Sequence, residues 1–149
     1  MMIGGTVESV LKSKKTDLFS VPPETKVFEV IKVMAEKNIG ALLVVDGKTL
    51  LGVATERDYA RKVVLKGKSS QTTPVRDILS LPMVKAKPSN TVDECLRLMT
   101  ENRVRHLPIL DGENIIGVVS IGDLVNWVIS AQDVTIKQME NYIAGNYFG

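Results

Sequence analysis

The chain has 149 residues and a mass of 16.3 kDa; 44% of its residues are hydrophobic and 24% are charged, which is typical of one globular unit of ordinary size. With 19 basic and 17 acidic residues the net charge is only +2, which argues against the strong positive field that attracts nucleic acid or an anionic membrane. The only cysteine, Cys95, and the only histidine, His106, exclude an internal disulfide and a zinc-type ligand cluster, so we expect no metal.

No stretch approaches the roughly 18 to 20 apolar residues that cross a bilayer, and the first eight residues lack a basic start followed by an apolar run. We therefore expect a cytoplasmic protein without a membrane partner. Two basic clusters stand out, and they are Lys12, Lys14 and Lys15, and Arg57, Arg61, Lys62, Lys66 and Lys68. Such runs are usually solvated surface. The second run would also suit a nucleic acid, which the low net charge disfavours.

An internal repeat organises the chain. A shift of 65 residues aligns 23–59 with 88–124, and 11 of the 37 pairs are identical. Because a unit of about 55 residues buries little surface alone, we expect an α/β (α+β) fold in which two β-α-β-β-α repeats pack with pseudo-twofold symmetry into one module. The predicted boundaries are 6–66 for the first repeat, 67–74 for a polar linker, 75–131 for the second repeat and 132–149 for a C-terminal helix and tail.

The elements of each repeat follow from its hydrophobic pattern. In the first repeat we predict a short strand near 19–21, a helix with an apolar stripe from Val27 to Ala35, strands at 41–45 and 50–54 joined at Asp46-Gly47, and a helix over 56–65. The second repeat has the same order, with its short strand near 83–86, its helix stripe from Val92 to Thr100, its Asp-Gly turn at 111–112 and its last helix over 121–130.

A further helix is predicted over 134–143, where Ile136, Met139 and Ile143 recur at helical spacing. Its apolar face would pack on its own module or on a second copy of the chain. Tyr147 and Phe148 in the tail also suit a partner contact. We expect a homodimer, because each module has helical faces that its internal symmetry leaves uncovered.

The same motif follows each hairpin: a glycine, two apolar residues, a hydroxyl residue, two variable residues and an aspartate. Thr55 and Asp58 hold the last positions in the first repeat, and Ser120 and Asp123 hold them in the second. One interpretation is structural, because a hydroxyl N-cap with an acid three residues later is a capping box worth about 1 kcal/mol. The other is functional: the first-turn amides suit a phosphate, and the aspartate suits ribose hydroxyls.

Further polar residues flank these motifs. Arg57 adds a positive charge beside the first motif, and Gly122 leaves the second open to close backbone approach. Arg103, Arg105 and His106 form a basic cluster where the central strand of the second repeat begins. The simpler interpretation of this cluster is a basic strand start with a surface histidine. The first repeat has no charge there, so the two sites should differ.

The repeats resemble a tandem pair of cystathionine-beta-synthase (CBS) domains. Two copies of the motif at constant spacing, each with an Asp-Gly hairpin, carry this resemblance over nearly the whole chain. The strings Glu56-Arg57-Asp58-Tyr59-Ala60-Arg61-Lys62-Val63 and Arg105-His106-Leu107-Pro108 are similar to small stand-alone bacterial CBS-pair proteins. The resemblance implies a regulatory module that binds an adenosine-containing ligand in two clefts between the repeats. The motifs do not separate AMP, ADP, ATP, NADH and S-adenosylmethionine.

The resemblance also implies roles for residues. The ribose-binding acids match Asp58 and Asp123, and the phosphate-facing hydroxyls match Thr55 and Ser120. The basic pair turned toward phosphate matches Arg105 and His106, and adenine would lie near the first and central strands. The expected ligand contacts are Ser20, Val21, Gly40, Ala41, Leu42, Thr55, Arg57, Asp58, Lys85, Ala86, Arg103, Arg105, His106, Leu107, Pro108, Ser120, Gly122 and Asp123.

No arrangement of nucleophile and base, or of converging carboxylates, indicates an enzyme. Cys95 lies on the apolar stripe of a helix, where a buried small hydrophobic residue is expected. We therefore expect a non-catalytic adenine-nucleotide sensor in which the ligand shifts the packing of repeats or protomers, and an unidentified downstream protein responds. The alternative is a structural or interaction subunit whose clefts stay empty.

Overall fold

Helices and Asp-Gly hairpins recur in both repeats, as the hydrophobic pattern predicts. The computed structural model describes residues 4–14 and 18–143. Its elements are α1 (Val7–Lys14), β1 (Ser20–Val21), α2 (Val27–Lys37), β2 (Ala41–Asp46), β3 (Thr49–Thr55), α3 (Glu56–Tyr59) continued by a π-helical turn (Ala60–Val64), a 3₁₀ turn (Val75–Ile78), α4 (Val92–Asn102), β4 (His106–Asp111), β5 (Asn114–Ser120) and α5 (Ile121–Ile143). The predicted α/β (α+β) fold of two repeats in one module is confirmed.

The apolar stripes of α2 and α4 face the core of their repeats. The buried side chains are Val27, Val30 and Met34 in α2, and Val92, Cys95 and Met99 in α4. Ala35 and Thr100, at the end of each predicted stripe, are exposed. Both helices end at a residue in the left-handed conformation, Asn38 with φ 54° and Arg103 with φ 53°, so the repeats share even their helix termination.

Each hairpin is an antiparallel pair with the predicted turn. In the first, Ala41 lies opposite Thr55, and in the second His106 lies opposite Ser120. The turn glycines Gly47 and Gly112 have φ of 61° and 62°, a conformation that favours glycine. Each hairpin also contains one register shift, after Val44 and after Ile109 respectively, so the two copies share their irregularities as well as their strands.

The short first strand differs between the repeats. Ser20 in β1 pairs with Leu43 in parallel orientation, and the Leu43 amide donates to the Phe19 carbonyl at 3.4 Å. In the second repeat the predicted strand over 83–86 is reduced to one bridge between Ala86 and Ile109. The physical reason is Pro108, which occupies the position of Leu43 and has no amide proton to continue the ladder.

The first segment of each repeat packs on the core of the other repeat. Val7 and Val10 of α1 are buried in the core of the second repeat, and the Val7 amide donates to the Asn90 carbonyl at 2.8 Å. Val75, in the 3₁₀ turn, is buried in the core of the first repeat. Helix α1 is not predicted by the hydrophobic pattern of the sequence. This exchange interlocks the repeats, because each core includes residues from outside its own sequence unit.

The polar segment at 67–74 packs on α2. The Thr73 side chain is buried, its hydroxyl donates to the Ser69 carbonyl at 2.7 Å, and its carbonyl accepts from the Val27 amide at 2.9 Å. The Phe28 amide donates to the Ser70 carbonyl at 2.9 Å. The carbonyls of this segment therefore accept hydrogen bonds from the first-turn amides of α2, which lack partners within the helix.

The two hairpins meet through a separate apolar cluster, centred on buried Leu43, Leu50 and Leu110. The last helix of the second repeat continues without a break into the region where a separate helix was predicted, because neither glycine nor proline interrupts it after its second residue. Tyr147 and Phe148 lie outside the described residues. Over the described ranges, no helix is long and apolar enough to span a membrane.

Candidate functional site

A cleft of about 1240 Å³ lies between the two repeats and is lined by residues of both. It places Thr55 and Asp58 of the first repeat opposite 82–85 and 103–106 of the second. Ligand pockets for small molecules are roughly 300–1,000 Å³, so the cleft has room for a nucleotide. From the residues expected to bind a ligand, the cleft wall includes Gly40, Thr55, Arg57, Asp58, Lys85, Arg103, Arg105, His106 and Pro108.

Thr55 and Asp58 form the predicted capping box at the start of α3. Asp58 Oδ2 accepts from the Thr55 amide at 3.0 Å and from its hydroxyl at 2.9 Å, and the Asp58 amide donates to Thr55 Oγ1 at 3.1 Å. Asp58 Oδ1 has more distant partners, the Lys62 ammonium at 3.5 Å and the Ser80 hydroxyl at 3.4 Å. One carboxylate oxygen thus caps the helix, and the other faces Lys62 and Ser80 at the cleft wall.

The cleft wall is strongly basic. Its cations are Arg57, Arg61, Lys62, Lys85, Arg103 and Arg105, and its acids are Glu56 and Asp58. The Arg57 guanidinium donates to the Arg103 carbonyl at 3.1 Å and so links the repeats. Arg57 and Arg61 are exposed, as the interpretation of this basic run as solvated surface predicts, and Lys62 is 35% exposed, but all three also line the cleft. This excess of cations suits a ligand with phosphate groups.

His106 begins β4 and lies between the repeats. Its imidazole is 3.7 Å from the position a Cβ would take at Gly40, across the cleft. Burial lowers its pKa, the neighbouring cations Lys14 and Arg105 lower it further, and Asp123 opposes them. The partly buried imidazole is therefore neutral near pH 7 and does not fit the alternative of a surface histidine.

We expect this burial to make stability depend on pH. The folded pKa of His106 lies below its ordinary value of 6.5, so on acidification the unfolded chain binds a proton before the folded chain does, and the free energy of unfolding falls as the pH drops from about 7.5 to 5.5. Urea unfolding of the wild type and of His106→Gln at both pH values measures this. The variant should lose less stability than the wild type; equal losses would exclude His106 as the cause.

The second motif has a different environment. Ser120 and Asp123 form a capping box, with the Ser120 amide 2.8 Å from Asp123 Oδ2 and the Asp123 amide 3.1 Å from Ser120 Oγ. Lys14 of α1 donates to the same Oδ2 at 2.8 Å and to the Val118 carbonyl at 2.9 Å. Burial acts to raise the pKa of Asp123, but hydrogen bonds from Lys14 and Ser120 outweigh it and hold the pKa below its ordinary value. Lys14 is thus not the solvated side chain that its basic cluster predicts.

Several residues expected to contact a ligand are absent from the cleft wall: Ser20, Val21, Ala41, Leu42, Ala86, Leu107, Ser120, Gly122 and Asp123. Leu42, Ala86 and Leu107 are buried in the cores. Ser20 and Val21 pair with β2. Wall residues that were not predicted from the sequence include Arg61, Lys62, Ser80, Pro82, Met83 and Asn102. The spacing of Arg61 and Lys62, three and four residues after Asp58 on one helical face, was a signal for those two.

Two further predictions concern the thiol of Cys95 and the binding of a metal ion. Burial raises the pKa of the Cys95 thiol to about 11, so the thiol stays protonated near neutral pH and supports the interpretation of this residue as core. Among the side chains that the structure describes, no group of three or more His, Cys, Asp or Glu is placed to hold a metal ion.

Comparison with known proteins identifies the class. The CBS domain model matches residues 7–65 and 75–130, so the chain belongs to the CBS-domain family and carries two CBS domains. CBS-domain pair proteins are generally regulatory modules, and CBS domains commonly bind adenosine ligands.

Three relatives illustrate the similarity. The mitochondrial CBS domain-containing protein CBSX3 of Arabidopsis thaliana is 36% identical over 152 residues, covering 95% of this chain and 73% of the relative. YhcV of Bacillus subtilis is 31% identical over 140 residues, covering 94% and 92%. A proposed signal-transduction protein with CBS domains from Burkholderia ambifaria has a solved structure with TM-score 0.81 and 50% identity, covering 86% of this chain and 96% of that one.

Proposed function

We propose that the protein is a non-catalytic regulatory module that binds an adenine nucleotide in the cleft between its repeats. The observation that carries this proposal is the meeting of Asp58 with six cationic side chains in one cleft to which both repeats contribute. A carboxylate suits vicinal ribose hydroxyls, and the cations suit phosphates. The family supplies the adenosine class of ligand, while the cleft supplies the particular residues.

The parts of the nucleotide are assigned by chemistry. Asp58 Oδ1 accepts from the ribose hydroxyls, and Arg103 and Arg105 take the phosphates. Adenine lies against the apolar wall near Met83, and the Val84 carbonyl is its hydrogen-bond acceptor. That carbonyl suits the role because Pro108 cannot donate to it as Leu43 donates to Phe19 in the first repeat.

Signalling follows from the position of the cleft. A nucleotide held by Asp58 on one side and by Arg105 on the other ties the repeats together, and it acts on the same boundary that the Arg57 bond to the Arg103 carbonyl crosses. If the ligand binds one relative arrangement of the repeats better than another, it shifts the population toward that arrangement. A downstream protein then responds to the selected arrangement.

We also propose a homodimer in which a second copy covers α5. Ile121, Val125 and Ile129 recur every four residues on this helix and are 38%, 44% and 49% exposed. Such an apolar stripe is typical of a helix that packs on a partner. Light scattering at micromolar concentration should give about twice the chain mass of 16.3 kDa; a mass near that of one chain at every concentration would contradict the dimer.

The nucleotide proposal is tested by calorimetric titration of the purified protein with AMP, ATP and NADH in separate experiments. At least one should bind with saturable heat below millimolar concentration, and guanosine nucleotides serve as the control for general phosphate binding. Absence of binding at millimolar ligand would overturn the proposal. It would favour the structural-subunit alternative, which has support because both capping boxes form; in that case Thr55→Ala lowers the melting temperature and changes no ligand response.

A further inference from the structure

The second motif of the chain already holds a cation. The Lys14 ammonium is 2.8 Å from Asp123 Oδ2 and 2.9 Å from the Val118 carbonyl. The side chains of Lys14 and Asp123 are only 26% and 21% exposed, so this ion pair is partly withdrawn from solvent and less screened than a surface pair. The ammonium bonds the same carboxylate oxygen that accepts from the Ser120 amide, so the acid that would accept ribose hydroxyls already has a close cation as its partner.

The cation beside the first motif is held less closely: the Lys62 ammonium is 3.5 Å from Asp58 Oδ1 and donates at 2.9 Å to the Ile78 carbonyl and the Ser80 hydroxyl instead. Leu79 touches the Cβ position of Gly52 at 3.4 Å, and Leu11 touches that of the equivalent Gly117 at 2.8 Å. The two leucines therefore hold corresponding places against the two hairpins. Lys14 lies three residues after Leu11, and Pro82 lies three residues after Leu79. Pro82 carries no cation and lines the open cleft.

We propose that Lys14 closes the second nucleotide site, so that the native chain binds one adenine nucleotide, in the cleft beside Asp58. A ligand at Asp123 has to displace the ammonium first. The apparent affinity of that ligand is therefore its intrinsic affinity multiplied by the fraction of chains in which Lys14 is released. Release is opposed by the burial of Val7 and Val10, which hold α1 against the second repeat. This inference rests on the proposed nucleotide function.

The test is the number of nucleotides bound per chain. Titrations with AMP, ATP and NADH are run in parallel on the wild type, Lys14→Met, Lys14→Arg and Lys12→Met. The Lys12 variant is the matched control, because it removes one charge from the same helix where the side chain is 77% exposed and paired with Glu8. We expect one site in the wild type, the Lys12 variant and the arginine variant, and two sites in Lys14→Met.

Docking of α1 is monitored separately through Trp127. Its indole donates to the Gly4 carbonyl at 3.0 Å, and it is the only tryptophan of the chain, so its emission reports whether the N-terminal segment stays in place. If Lys14→Met shifts this emission, Lys14→Gln replaces it as the test variant.

The outcomes separate the two proposals. Two sites in the wild type, or one site in both uncharged Lys14 variants with native Trp127 emission, would overturn the role of Lys14 and leave the nucleotide function standing. Absence of binding by the wild type and by every variant would instead overturn the nucleotide function itself.

Discussion

Replacement of Asp58 by asparagine should weaken nucleotide binding by about tenfold to a hundredfold, whereas Asp123→Asn should leave the affinity unchanged. The basis is that hydrogen bonds to a charged group contribute about 1.5–3 kcal/mol, and Asp58 Oδ1 is the carboxylate oxygen that the helix cap does not use. Asparagine preserves the shape of the side chain and one acceptor oxygen, so the cap is disturbed little. Calorimetric titration with the nucleotide that binds the wild type measures the effect.

The pair of variants is a matched comparison, because each removes one charge from an equivalent capping box. Asp123→Asn should instead lower the melting temperature, since it breaks the ion pair with Lys14. Equal loss of affinity in both variants would indicate that the two sites act alike, and unchanged affinity in Asp58→Asn would remove this residue from the site.

Substitution of Val10 by aspartate should lower the free energy of unfolding by about 3–5 kcal/mol, the usual effect of an uncompensated buried charge. Val10 is 2% exposed and lies in the core of the second repeat, together with Leu107 and Leu124. The effect is large because α1 supplies part of a core that the second repeat cannot complete alone. Urea unfolding followed by circular dichroism measures the change.

Lys12→Asp is the control for this prediction, because it places the same residue two positions along α1 where the side chain is 77% exposed. It should change the free energy of unfolding by less than about 1 kcal/mol. If Val10→Asp is no more destabilising than Lys12→Asp, α1 is not a component of the second core.

The sequence predicts the repeated elements well because their signals are local. Helix α2 follows from apolar residues at spacings of three and four, and the hairpins follow from Asp46-Gly47 and Asp111-Gly112 between apolar runs. The strand over 83–86 fails because its ladder needs an amide at Pro108, a residue more than 20 positions away. Helix α1 is short, and its burial depends on a repeat that begins about 70 residues later.

The candidate site is predicted only in part for a similar reason. A seven-residue motif predicts Thr55 and Asp58 as ligand contacts, and the structure places both in the cleft wall. The residues opposite them come from the second repeat, and pairing across repeats is set by tertiary packing. The ion pair of Lys14 is likewise not predictable from its neighbours in the sequence. The basic cluster that contains Lys14 indicates a solvated surface, whereas its partner Asp123 is 109 residues away in the sequence.

A crystal structure of the protein soaked with the adenine nucleotide that titrates it tests the central claim most directly. The nucleotide should lie in the cleft between the repeats, with its ribose on Asp58, its phosphates on Arg103 and Arg105, and its adenine near Met83, while Lys14 remains on Asp123. A nucleotide bound at Asp123 with an empty cleft, or one bound outside both sites, would contradict the account.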